Sequence, residues 1–173
     1  MNAAAIILAF DRTFRESNTR LVGGREEPFY QPPRSGTPAF ILFKDDYPAS
    51  ALHEVAHWCL AGIRRRELED YGYWYEPVRN SAAQTRFESA ECEPQALEWI
   101  FSVASGRRFI ASFDNFSLSH CRRDAFRARV QQAALARIDR GLPPRAAIFA
   151  EELAQQSGVG DYLSPRHYED LPA

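Results

Sequence analysis

Ala49-Ser50-Ala51-Leu52-His53-Glu54-Val55-Ala56-His57-Trp58-Cys59-Leu60-Ala61-Gly62 reads as one amphipathic helix, with Pro48 suited to its first turn and Gly62 to its exit. His53 and His57 are four residues apart, so they share a face one turn apart, with Cβ atoms about 5–6 Å from each other. At that spacing two imidazoles can meet on one cation at bonds of roughly 2.0–2.1 Å. Glu54 stands one step round from His53, beside such a cation, where a carboxylate can handle the proton of a bound water. A helix whose histidines merely face core or solvent has the same spacing. The chain has only four histidines, however, and two of them frame a glutamate on an otherwise apolar helix. A metal site is the expectation.

Upstream, Ala39-Phe40-Ile41-Leu42-Phe43 is the best candidate for a buried strand. Asp45-Asp46-Tyr47-Pro48 ends it and leads into the helix. Residues 34–38 are a turn-rich connection, and Glu27 to Pro32 is held extended by its prolines, as an edge strand or loop. Asn18 to Val22 reads as a short strand ending at Gly23-Gly24. Before it, Ile6, Ile7, Phe10 and Phe14 recur at helical spacing and mark a surface helix over residues 3–16.

Downstream, Arg64-Arg65-Arg66 suggests a phosphate or RNA patch, but Glu67, Glu69 and Asp70 follow at once and favour a solvated, self-paired surface. Tyr71, Tyr73, Trp74 and Tyr75 then crowd four aromatics into five positions before Glu76. They suit the core and a pocket wall equally, and such a wall would favour a cationic substrate. Asn80 to Glu88 is polar with helical potential. From Glu91 an apolar helical pattern runs through Val103, with Gly106 as its cap. Arg108 to Phe113 alternates like a strand, and Asp114-Asn115 makes a turn. Residues 122–140 form a long helix stopped by Gly141, Pro143-Pro144 opens a last helix to about Gln156, and an irregular tail follows. The fold class expected is α/β of the α+β kind: a small mixed sheet packed with helices in a single domain, residues 1–173, with its core at about 18–157.

Composition excludes several classes. A net charge of −2 gives no case for non-specific nucleic-acid binding. Three cysteines, an odd number without a CxxC spacing, suggest neither a disulfide framework nor a zinc knuckle. The apolar run from Ala3 to Phe10 is too short to span a bilayer and lacks the flanks of a signal peptide. A cytoplasmic setting is expected.

Catalytic metals usually take three protein ligands. His120 and His167 lie in polar or irregular stretches and read as surface histidines. Glu88 and Glu91, opening the next apolar helix, are better candidates. Glu91 is preferred because it lies nearer the apolar part, which leaves Glu88 to orient an imidazole N–H. The alternative is that both are acids favoured by a helix N-terminus. Two histidines and a carboxylate support two chemistries: a zinc hydrolase, peptidase or ribonuclease, with Glu54 as base, or a ferrous facial triad with positions open for O₂. Spacing does not choose between them, although the His-Glu-x-x-His pattern alone favours the hydrolase. A metal that only holds the fold is a third class, opposed by the helix's good apolar face and by the four-coordinate habit of structural zinc.

The run from Ala51 to Gly62, with Arg65-Arg66-Glu67-Leu68 and Tyr71-Gly72-Tyr73-Trp74-Tyr75, resembles the bacterial elongation factor P hydroxylase family. So do Asn18-Thr19-Arg20-Leu21, Glu27-Pro28 with Tyr30 and Pro32, Phe87-Glu88 with Glu91, Pro94-Gln95-Ala96-Leu97 with Trp99, and Asp114-Asn115. The resemblance covers about residues 18–145, and Val78 to Thr85 follow the pattern least. It implies hydroxylation of the β-lysylated lysine of elongation factor P, a fold similar to a metal-dependent ribonuclease of ribosomal RNA maturation, and an iron-binding 2-His-1-carboxylate set carried here by His53, His57 and Glu91. It also implies O₂ as co-substrate and elongation factor P as partner, with no membrane and no direct nucleic-acid contact. A cationic arm of that kind suits a rim of Tyr71, Tyr73, Trp74, Tyr75 and Glu76. No flavin signature is present, and no single arginine stands out as a 2-oxoglutarate clamp, so the electron donor is left open.

Overall fold

Residues 19–44 build the sheet on which the histidine helix rests. In the computed structural model, which describes residues 1–72, 81–113 and 120–170, strand β1 (Thr19–Arg25) and strand β2 (Phe29–Gln31) flank the central strand β3 (Ala39–Lys44). β1 runs parallel to β3, with Leu21 opposite Ile41, and β2 runs antiparallel to it, with Tyr30 opposite Ile41. Ile41, Leu42 and Phe43 are all buried, as an unbroken apolar run in a central strand should be. The proline-flanked segment is an edge strand, one of the two places its composition allowed.

One strand boundary differs from expectation. β1 does not stop at Gly23-Gly24 but continues through them, with a register shift between Val22 and Arg25. A Cβ on Gly23 would stand 2.7 Å from the Phe43 ring and 2.8 Å from the Asp45 carbonyl. The glycine is there for close approach, not for a turn.

Helix α1 (Ala3–Thr13) begins at Asn2, whose side chain accepts the Ala5 N–H at 2.9 Å, and buries Ile6, Ala9 and Phe10. Helix α2 (Pro48–Leu60) carries the histidines. Its buried face (Ala51, Leu52, Val55, Ala56, Trp58, Cys59) packs on β3 and on helix α3 (Ser81–Ala104). The exit uses no left-handed glycine; Ala61, in extended conformation, ends the helix. Its last carbonyls are satisfied instead by Arg145 of helix α5 (Pro144–Ser157), which donates to the oxygens of Trp58, Cys59 and Ala61 at 2.9, 3.1 and 2.5 Å. The same guanidinium lies 4.7 Å over the Trp58 ring, so α5 fixes both the end and the roll of the histidine helix.

α3 opens ten residues before Glu91, at Ser81, and passes straight through Pro94. Glu88 and Glu91 are therefore interior residues, and the reading of them as helix-opening acids is set aside. Helix α4 (His120–Arg140) lies along α3. The expected strand over 108–113 is also absent. Its alternation is real, with Phe109 and Ala111 buried and Ile110 exposed, but no sheet edge meets it. The Gln95 side chain takes that place, donating to the Ser112 carbonyl at 3.0 Å and accepting the Ser112 N–H at 3.2 Å.

The C-terminal stretch to residue 170 is irregular yet docked. Tyr168 is fully buried, donates to the Tyr162 carbonyl at 2.6 Å, and has its own carbonyl bound by Gln131 of α4. Phe10, Phe14, Trp58 and Phe149 form an edge-to-face and tilted aromatic centre joining α1, α2 and α5. All three cysteines are free. Among the described residues, no helix is long and apolar enough to cross a membrane.

Candidate metal centre

α2 and α3 pack so that His53, His57 and Glu91 converge. The two imidazole Nε2 atoms are 3.0 Å apart, and they lie 3.3 Å (His53) and 3.5 Å (His57) from the same Glu91 oxygen. With bonds of roughly 2.1 Å, neighbouring ligands would be ~3.0 Å apart at a right angle and ~3.4 Å apart at the tetrahedral angle. The three edges span that interval, so one face of a coordination shell is already assembled.

Charge fits as well. Glu91 and Glu98 are almost completely buried, and Glu54 is half-buried beside them. Three carboxylates facing two imidazoles are costly to keep out of water unless cations offset them. Burial alone would lift Glu91, but His57 and His53 outweigh it and hold its carboxyl well below the usual range. Burial likewise opposes a proton on His53; bonds to Glu91 and Glu98 outweigh that and hold the imidazole well above its ordinary value. The carboxylates that favour a second proton on His53 would equally favour a dication in its place.

Glu98 escaped the sequence reading. Its carboxylate meets His53 Nδ1 at 2.9 Å, which holds the Nδ1 proton and turns the Nε2 lone pair toward Glu91 and His57. The role expected of Glu88 belongs here. Glu88 is instead held by Arg122 and Arg129 of α4, each at 2.8 Å, with its buried carboxylate tying α4 to α3. The missed signal is a stripe. Gln84, Glu88, Glu91, Gln95, Glu98, Ser102 and Ser105 recur every three or four residues and are all buried. A polar stripe of that period normally faces water. We expect Glu98→Ala to weaken metal binding about 10–100-fold without unfolding the chain, measured by competition with a chelating indicator.

His57 is oriented differently. No hydrogen bond to its Nδ1 is made among the described residues; the ring lies parallel to Tyr71, centroids 6.3 Å apart, and Tyr71 stacks in turn on Tyr30 at 4.2 Å. Tyr71 belongs to a strained turn. Asp70, Tyr71 and Gly72 all have positive φ (44, 56 and 73°), and two consecutive non-glycine residues there cost about 1–2 kcal/mol each. The Asp70 carboxylate secures the turn by accepting the Tyr30 N–H at 2.8 Å.

Comparison with known proteins decides the family. A profile described as elongation factor P hydroxylase matches residues 9–165. The elongation factor P lysine hydroxylase of Haemophilus influenzae is 44% identical over 151 residues, covering 86% of this chain and 85% of that protein. This chain belongs to the elongation factor P hydroxylase family.

Within this family member, the structure brings His53, His57 and Glu91 together and places Glu54 and Tyr71 next to them. Glu54 makes no hydrogen bond or ion pair among the described residues, and burial, with Glu91 and Asp70 reinforcing it against the two imidazoles, raises its carboxyl. His120 is exposed at the start of α4, and His167 meets Asp161 at 3.2 Å, both away from the cluster. Tyr73, Trp74, Tyr75, Glu76 and the Asp114-Asn115 pair lie outside the described residues.

Proposed function

We propose that this chain is a non-heme iron hydroxylase that converts a C–H bond of the β-lysylated lysine of elongation factor P into C–OH, taking one atom of O₂ while the other leaves as water with two electrons and two protons from an external reductant. The observation that carries the reading is the His53–His57–Glu91 triangle in a member of a family described as hydroxylases. Two histidines and a carboxylate with positions left open are the donor set suited to ferrous iron and O₂. Iron held there would supply the oxygen activation that an unactivated C–H bond requires. The protein's own part is to hold three donors in one face, to fix His53 through Glu98 and His57 through Tyr71, and to present acceptors to a cationic arm. A cytoplasmic setting and a role in translation follow from the substrate.

One observation favours a hydrolase instead: Glu54 is a carboxylate without a protein partner among the described residues and with a raised pKa, as a general base beside a zinc-bound water would be. Glu54→Gln separates the two. A hydrolase losing its base should lose about 10²–10⁴-fold in rate, whereas the hydroxylase should keep its metal and measurable turnover, with weaker binding of the arm. The assay is the mass of elongation factor P from cells with and without this protein, then with the variant, beside peptide and RNA cleavage tests. Cleavage that vanishes in Glu54→Gln, with no gain of one oxygen on elongation factor P, would replace the hydroxylase by the hydrolase.

A further inference from the structure

A cavity of about 290 Å³ adjoins His57, bounded by the last turn of α2, the strained turn at Tyr71 and the middle of α3. Its far wall is made by α3 around Pro94. Proline has no N–H, so the Ala90 carbonyl loses the donor that an uninterrupted helix would supply. Ala90 and Pro94 both line the cavity. A backbone acceptor without its i+4 donor therefore belongs to its wall.

Other acceptors stand near it. Glu93 reaches Arg137 of α4 through one carboxylate oxygen, Oε2, at 2.8 Å; Oε1 has no hydrogen bond among the described residues. Ser89 spends its proton on the Thr85 carbonyl at 2.8 Å and keeps its lone pairs. Tyr71 offers a ring, and its buried hydroxyl has no hydrogen-bond partner among the described residues. Burial first, then the Glu54 carboxylate and, more weakly, that of Asp70 raise that phenol. Arg65, the cation of the lining, already has a partner.

Such a cavity is rich in acceptors, and the Glu54 and Asp70 carboxylates act on its Tyr71 wall. A primary ammonium has the converse chemistry, three N–H donors and no acceptor, and its aliphatic stem covers apolar wall while the head keeps its polar contacts. We propose that this cavity receives the cationic arm of the substrate, its ammonium held by Glu93, Ser89 and the Ala90 carbonyl and its stem lying against Tyr71 and His57. The proposal rests on the lysine-hydroxylase reading for the identity of the arm, while the cavity's preference for an alkylammonium stands on its own chemistry.

The test uses Glu93→Gln, Arg137→Gln and Pro94→Ala in the full chain. Glu93→Gln should raise KM for elongation factor P roughly tenfold to a hundredfold, as loss of a charged hydrogen bond does, with bound metal unchanged. Arg137→Gln breaks the same ion pair but leaves the carboxylate for the substrate, so KM should hold or fall. If Glu93 were only a clamp between α3 and α4, the two variants would behave alike, and that result would overturn the proposal. Pro94→Ala returns an N–H to Ala90; it should raise Tm yet raise KM. Calorimetric titration with n-pentylamine and with pentanoate needs no turnover, so it decides the cavity even if elongation factor P were never hydroxylated. The wild type should bind the amine and Glu93→Gln should not. Binding of pentanoate in place of the amine would overturn the assignment.

Discussion

His53→Ala, His57→Ala and Glu91→Ala should each strip the protein of metal and bring hydroxylation to background. Each removes one corner of a triangle whose edges are 3.0, 3.3 and 3.5 Å. The loss should exceed the roughly 10–100-fold that removal of an outer partner costs, because two remaining donors hold a catalytic cation weakly. His120→Ala and His167→Ala should retain full occupancy. Elemental analysis of purified protein decides between these outcomes, and a fully loaded Glu91→Ala would move the third ligand elsewhere. The pH dependence has a definite sign. His53 holds its proton well above the ordinary range for an imidazole, and metal must displace that proton. Affinity should therefore fall as pH drops below the raised His53 value, by about tenfold per unit for one proton, and level off above it.

The parts of this centre that follow local periodicity were legible in the sequence. Two histidines at i and i+4 on an apolar helix state their own geometry, and the central strand announced itself by an unbroken apolar run. Glu91 was legible as a residue type able to complete the set, because a second helix against the first is what a small domain can build. Glu98 was not, for a physical reason: it lies 45 residues from His53 and two turns beyond Glu91, in a stripe of polar residues whose period matches a solvent face. Only the packing of α2 on α3 turns that stripe inward. Pro94 misled in a similar way. It sits in the interior of one helix from Ser81 to Ala104, where proline is costly, whereas the apolar pattern alone opens only at Glu91. Residues 108–113 carry a strand's alternation without a strand's partner, since a side-chain amide can satisfy an extended backbone as well as a neighbouring strand does. The strained turn at Asp70-Tyr71-Gly72 left no signal beyond its glycine.

Reconstitution with different metals should give the other all-or-none result. Metal-free protein loaded with ferrous iron in air and given a two-electron reductant such as ascorbate should add one oxygen atom to β-lysylated elongation factor P, the second atom of O₂ leaving as water; loaded with zinc, or with iron and the same reductant under strict exclusion of oxygen, it should add none. Two imidazoles and a carboxylate bind zinc readily, and among divalent first-row metals such a site would not favour iron by affinity alone. Zinc should therefore occupy the same three donors and inhibit in proportion to its occupancy. Zinc has no accessible redox change, however, and insertion of oxygen into a C–H bond requires electrons to move. Adding ferrous iron with a chelator that removes zinc should restore turnover in the wild type and leave His57→Ala inactive. Mass analysis of elongation factor P after single and multiple turnovers reads the outcome. Zinc-loaded protein that modified its substrate anaerobically, at the rate of the ferrous form in air, would remove oxygen chemistry from the site and leave the Glu54-based hydrolysis in its place.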